Sequence, residues 1–134
     1  METSRSDAGS GDPVGRRRRL RFGRSLRLTR SADFARVRTE GRATRGALLL
    51  LGVLEPGETA AFRAGFVTSK RVGAAVVRNR VRRRLREIVR KHQPAIRSGI
   101  WLVVIARPAA ARASHSALED EWLRLAKRAS ILAP

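Results

Sequence analysis

A chain of 134 residues with 43% apolar content has room for one ordinary domain and a modest core. Thirty Lys and Arg against eleven Asp and Glu give a formal charge of +19, a self-repulsion that a polyanionic partner relieves. The lack of cysteine excludes disulfides, thiolate chemistry and zinc fingers and fits a reducing cytoplasm, while the longest apolar runs, Ala47 to Leu51 and Ile100 to Ala106, are too short to span a bilayer.

Residues 1–24 combine Gly, Ser, Asp and Pro with the run Arg16 to Arg19, offer almost nothing to bury, and read as a disordered basic arm. Arg19 leads into Leu20-Arg21-Phe22-Gly23-Arg24, not into the apolar segment of a signal peptide, and Glu2, Asp7 and Asp12 speak against a transit peptide. The domain is expected over residues 25–134. Ser31 is placed to cap a first helix with Asp33 in its opening turn, Phe34 and Val37 facing inward, and Gly41 as terminator. After a connector at Arg42 to Gly46, Ala47 to Leu54 reads as a strand, Glu55-Pro56-Gly57-Glu58 as a turn, and Phe62 to Ser69 as a second strand. A helix over about Ala74 to Lys91 stops before Pro94, and the continuous apolar run Ile100 to Ala106 has the character of a central strand. Ser116 with Glu119 suggests a capping box for a last helix whose apolar stripe is Leu118, Trp122, Leu125 and Ala129. Helix, strands, helix, strand, helix argues for an α+β domain.

The middle helix carries the functional signal. Stepping about 100° per residue places Val77, Val81, Leu85, Ile88 and Val89 in one arc of about 120°, a face that packs on the sheet. The rest of the wheel bears Asn79, Arg80, Arg82, Arg83, Arg84, Arg86, Arg90 and Lys91, with Glu87 as its one acid; Arg78, in the first turn, is positioned to lean over the sheet edge. Like charges four apart, such as Arg78/Arg82 and Arg82/Arg86, each cost a few tenths of a kcal/mol in an isolated helix, so folding alone does not select this face. A phosphate chain reverses the sign by counterion release and guanidinium–phosphate forks. A merely solvated face normally mixes acids with bases.

The stretch Ser69-Lys70-Arg71-Val72-Gly73-Ala74-Ala75-Val76-Val77-Arg78-Asn79-Arg80-Val81-Arg82-Arg83-Arg84-Leu85-Arg86 resembles the RNR signature of the bacterial ribonuclease P protein family. The resemblance extends to Arg27-Leu28, Asp33-Phe34, Val37, Gly41 and the Ile105-Ala106-Arg107-Pro108 stretch, covering roughly Arg27 to Ile131. It implies a two-layer α/β sandwich of the ribosomal S5 domain 2-like kind, with a mixed sheet and a left-handed βαβ crossover, where pattern alone suggests the common right-handed one. It also implies the protein subunit of a ribonucleoprotein whose RNA performs the chemistry, binding that catalytic RNA and the 5′ leader of precursor tRNA, with Mg2+ acting in the RNA-containing holoenzyme and no obligate protein partner. Carried over by position, Lys70, Arg71, Arg78, Asn79, Arg80, Arg82, Arg83 and Arg86 contact RNA. Phe34 and Arg38, with the sheet face bearing Phe66, Thr68 and Lys70, line the leader cleft, where stacking and backbone contacts hold a single strand. Two family aromatics are missing: Arg38 stands one turn beyond Phe34, and Leu48 to Leu51 contain none, so stacking in the cleft is expected to be thinner, with Arg38 replacing it by guanidinium stacking or charge.

Catalysis by protein groups is not supported by the pattern, since the eleven acids are scattered and Glu119-Asp120-Glu121 point in different directions on one helix. His92 at a helix end and His115 in a loop lack triad partners at short spacing. Trp101 and Trp122 fall in apolar runs and read as core. A ribosomal-type structural RNA-binding protein is the main alternative; a DNA-reading helix would present more Asn, Gln, Ser or Thr than Asn79 alone. Arg78→Ala or Arg80→Ala is expected to weaken RNA binding with little loss of stability.

Overall fold

The computed structural model describes residues 27–28, 30–57 and 59–133, so the expected basic arm over residues 1–24 lies outside the described residues. In chain order the elements are α1 (Ser31–Glu40), β1 (Arg42–Arg45), β2 (Leu49–Leu54), β3 (Arg63–Thr68), α2 (Ala75–His92), β4 (Trp101–Ala106) and α3 (His115–Arg128), with short 3-10 turns at Lys70–Val72, Gln93–Ala95 and Pro108–Arg112. The strands form one mixed sheet ordered β1-β2-β4-β3; β1/β2 and β2/β4 are antiparallel, whereas β3/β4 are parallel and joined through α2.

Strand β4 shows no polar alternation because both of its faces are covered. Leu102, Val104 and Ala106 join Leu49, Leu51 and Val53 under α2 and α3. Val103, Trp101 and Ile105 turn the other way, toward Val37 and Phe34 of α1. Helices α2 and α3 thus make the layer opposite the sheet, and α1 lies across the reverse face. The arc foreseen on α2 is the one buried: Val81, Leu85, Ile88 and Val89 are fully enclosed, and Val77 packs at the margin. Truncating any of the larger ones to alanine should cost about 2–5 kcal/mol. On α3 the stripe Leu118, Trp122, Leu125 and Ala129 is equally buried.

Several local expectations change. Arg30, not Ser31, is the N-cap of α1, and it makes no side-chain cap; Ser31 is already helical. Gly41 ends the helix without a left-handed turn, since its φ is −88°. It is needed for close approach: a Cβ there would overlap the Val53 carbonyl and sit 2.6 Å from the Val37 carbonyl oxygen. The supposed connector after it is mostly strand β1, paired Arg42↔Val53 through Arg45↔Leu50. An exposed edge strand carrying arginines has no buried face to impose alternation, which hides it in the sequence. Ser114 rather than Ser116 caps α3, its Oγ accepting from the Ala117 amide at 3.0 Å, so His115 opens that helix instead of lying in a loop.

Side chains also fasten the sheet to α3. Glu121, almost fully buried, accepts the Leu48 and Leu49 amides through one carboxylate oxygen at 2.6 and 2.7 Å, tying the end of the β1–β2 loop and the first residue of β2 to α3. Arg107 donates to the Gly46 carbonyl of the same loop at 2.8 Å. The end of α3 is a Schellman motif: the Ile131 amide donates to Ala126 O and the Ser130 amide to Lys127 O. Ser130 occupies the left-handed position at φ 60°.

Candidate nucleic-acid interface

The chain enters α2 through the turn Lys70–Val72, which buries Val72 and leaves Lys70 and Arg71 exposed. Gly73, at φ 149°, then redirects the backbone into the helix, a conformation that disfavours any side chain. Because the apolar arc of α2 is fixed on the core, the remaining residues lie on its flanks and on its outward face.

From Lys70 to Arg90 no side chain forms an ion pair with a carboxylate among the described residues. Among the described residues one acid pairs with α2, at its end, where Glu119 binds Lys91 at 3.0 Å and His92 at 2.7 Å. The arginines nevertheless divide into two sets. Arg83 and Arg86 are exposed and Arg78 is half-buried, and none of the three has a hydrogen-bond partner among the described residues. Arg80 instead donates to Ala111 O at 3.3 Å, with its Nε enclosed and unpartnered, and Arg84 donates to Ala113 O at 3.1 Å. Arg82 bridges Asn79 Oδ1 at 3.0 Å and Thr68 Oγ1 at 2.6 Å. Arg80 is therefore part of the packing between α2 and the Pro108–Arg112 turn.

Arg86 lines a recess that also holds Arg27. Partial burial first, then the guanidiniums of Arg27 and Arg82, lower its pKa from the usual arginine value. An anion placed there would offset both effects.

The other feature is a groove of roughly 680 Å³ between α1 and the reverse face of the sheet, lined by Phe34, Val37 and Arg38 of α1 against Leu50, Val67, Val103 and Ile105. Gly65 lets the Phe34 ring lie on the strand: a Cβ there would stand 2.6 Å from Phe34 Cζ. Phe34 thus packs as core and lines the groove at once, and it is the one aromatic among the lining residues. Phe66 and Thr68, expected beside Phe34 in this groove, do not line it. They belong to the α2 side of β3, where Phe66 packs on the main core and Thr68 binds Arg82. Val67, Leu50, Val103 and Ile105 are the strand residues missed, and strand parity is the signal that could have found them, since a one-residue shift exchanges the faces. Phe34 and Phe66 both line a small recess at the β3 edge, together with Arg27 and Arg86.

His92 and both tryptophans pack against other side chains. Trp122 is buried and stacked on His92 with centroids 5.5 Å apart. Trp101 is half-exposed, with the Arg36 guanidinium 5.5 Å from its ring centroid. No group of three or more His, Cys, Asp or Glu converges as a metal cage, and no helix is long and apolar enough to cross a membrane, among the described residues.

Residues 22–130 match the family model described as Ribonuclease P. The ribonuclease P protein component of Chloroflexus aggregans is 43% identical over 110 residues, covering 81% of both chains. That of Brevibacillus brevis is 38% identical over 109 residues, covering 81% of this chain and 86% of the relative. Among solved structures, a ribonuclease P protein from Staphylococcus aureus superimposes with a TM-score of 0.74 at 27% identity, covering 80% of this chain and 97% of the other. One from Thermotoga maritima gives 0.69 at 28% identity, covering 76% and 96%.

Proposed function

Since this chain belongs to the ribonuclease P protein family and is a protein component of that endoribonuclease, we propose that its α2 face binds the catalytic RNA while the α1 groove holds the 5′ leader of precursor tRNA. The observation that carries the first half is the outward face running from Lys70 to Arg90, which has no carboxylate partner among the described residues. Exposed Lys70, Arg71, Arg83 and Arg86, with Arg78 at the sheet edge, neutralise phosphates and release their counterions. Arg80, Arg82 and Asn79 hold the helix and its neighbours in register and present their remaining donors to the same partner.

The groove supports the second half. Its apolar floor accepts bases or riboses, Arg38 beside it meets phosphates, and the lone Phe34 ring offers one stacking surface. Such a surface grips a single strand without a donor–acceptor code for its sequence. The protein's part is to bring leader and catalytic RNA together and to lower their mutual repulsion. Magnesium belongs to the RNA-containing holoenzyme in this reading, because the described side chains offer phosphate-binding cations rather than converging carboxylates. The expected setting is the cytoplasm.

Cleavage of a leader-bearing precursor tRNA at near-physiological magnesium, by a ribonuclease P RNA with and without the protein, tests the whole. Stimulated cutting at the mature 5′ end, with none by protein alone, is the expected result. Tight RNA binding without stimulation would favour a purely structural RNA-binding role.

A further inference from the structure

Val76 is 76% exposed, the one large apolar side chain so displayed among the described residues. At about 100° per residue it falls opposite the buried Val81 and Leu85, at the centre of the outward face of α2, with Arg80 one turn and Arg83 two turns along. Ala74 and Ala75 beside it are exposed as well. Nothing in the fold asks for valine here. It touches no core, and a β-branched residue on a solvent-facing helix position is a poorer helix former than alanine.

Resting on the catalytic-RNA reading of this face, we propose that Val76 is an apolar contact residue of the RNA interface, packing against the ribose or base surface of an exposed nucleotide while the surrounding cations bind its phosphates. Charge decides the class of occupant. The charged side chains nearest along the chain and over the next two turns are Lys70, Arg71, Arg78, Arg80, Arg82 and Arg83, all cationic, and the first acid on the helix is Glu87, three turns on. An apolar spot ringed by cations fits a polyanion that also presents non-polar faces, which nucleotides do through base and sugar. An acidic protein would supply the charge but would meet this spot with carboxylates that valine cannot partner.

The division of labour has a measurable signature. Phosphate neutralisation makes affinity depend on salt, with the log–log slope flattening by roughly 0.7 to 0.9 for each phosphate left without its cation, whereas an apolar contact leaves that slope alone. Binding of an in vitro transcribed ribonuclease P RNA should therefore be measured across a potassium chloride series for wild type, Val76→Ala and Arg83→Ala. Val76→Ala is expected to weaken binding about 3- to 10-fold, the effect of removing two partly buried methyl-sized groups, by the same factor at every salt concentration. Its melting temperature should be unchanged or slightly higher. Arg83→Ala should instead flatten the salt slope. Val76→Ala binding within twofold of wild type, or changing the slope, overturns the Val76 contact while leaving the RNA-binding face intact. Failure of the wild type to bind the RNA at all overturns the underlying reading, and this proposal with it.

Discussion

Glu121→Ala tests how much of the fold depends on one buried carboxylate. The side chain accepts the Leu48 and Leu49 amides at 2.6 and 2.7 Å, and Leu49 is fully buried whereas Leu48 is only partly so. Leaving a buried donor unsatisfied costs about 1–3 kcal/mol, with hydrogen bonds to charged groups toward the upper end. Rehydration of the Leu48 amide reduces its share, so the variant should lose about 3–4 kcal/mol from a domain whose total stability is of the order of 5–15 kcal/mol. The corresponding drop in Tm is roughly 10–20 °C. Urea denaturation followed by circular dichroism measures the loss, and Glu121→Gln, which keeps an acceptor oxygen, should lose about half as much. The β1–β2 loop supplies a second handle. A Cβ at Gly46 would lie 2.6 Å from Glu121 Oε2, so Gly46→Ala should be destabilising alone and much less so on top of Glu121→Ala. A loss below about 1 kcal/mol for Glu121→Ala, or strict additivity with Gly46→Ala, would refute the assignment of the loop's amides to this carboxylate.

Gly65→Ala forces the Phe34 ring off β3 and should weaken binding of leader-bearing precursor tRNA to the holoenzyme while leaving leaderless tRNA unaffected; equal affinities for wild type and variant would remove Phe34 from the groove's function. Arg80→Ala should lower both stability and RNA affinity, in contrast to Arg83→Ala, which should lower affinity alone, as paired melting and binding curves would reveal. Glu119 has its pKa lowered from 4.5, by the His92 hydrogen bond first and Lys91 next. Its contribution is therefore complete above that value and lost as pH falls through the lower folded value, so Glu119→Gln should flatten the acid limb of a stability–pH profile. Ser130→Gly relieves a left-handed backbone and should raise stability by about 1 kcal/mol, read as an increase in Tm.

The elements with strong periodicity were legible from residues alone. The arc of α2 and the stripe of α3 are buried as their spacing requires, and the unbroken apolar β4 is central because both of its faces are packed. What escaped were features decided by tertiary placement. Strand β1 is defined only by its partner β2, and the cap of α3 depends on where the Pro108–Arg112 turn releases the chain. The groove shows the same limit: Phe34 and Arg38 could be placed from helix position, but whether Phe66 or Val67 faces them depends on the parity of β3, which Phe66-Val67-Thr68 leaves open because both faces receive apolar residues. Nor does sequence reveal that Arg80 and Arg84 spend donors on carbonyls 111 and 113, since those contacts are 31 and 29 residues apart along the chain.

Strand β3 separates the groove from the basic helix by no more than its own thickness. Gly65 supports Phe34 on one side, its neighbour Phe66 packs beneath α2 on the other, and Arg86 and Arg27 line a small recess with both rings at the strand's edge. Insertion or deletion of a single residue within β3 would thus swap the surfaces each side chain serves, misaligning groove and helix together, while substitution at any one position disturbs only one of them. Variation along this strand should accordingly be confined to changes of side chain, and length changes should accumulate in the 55–62 loop that precedes it.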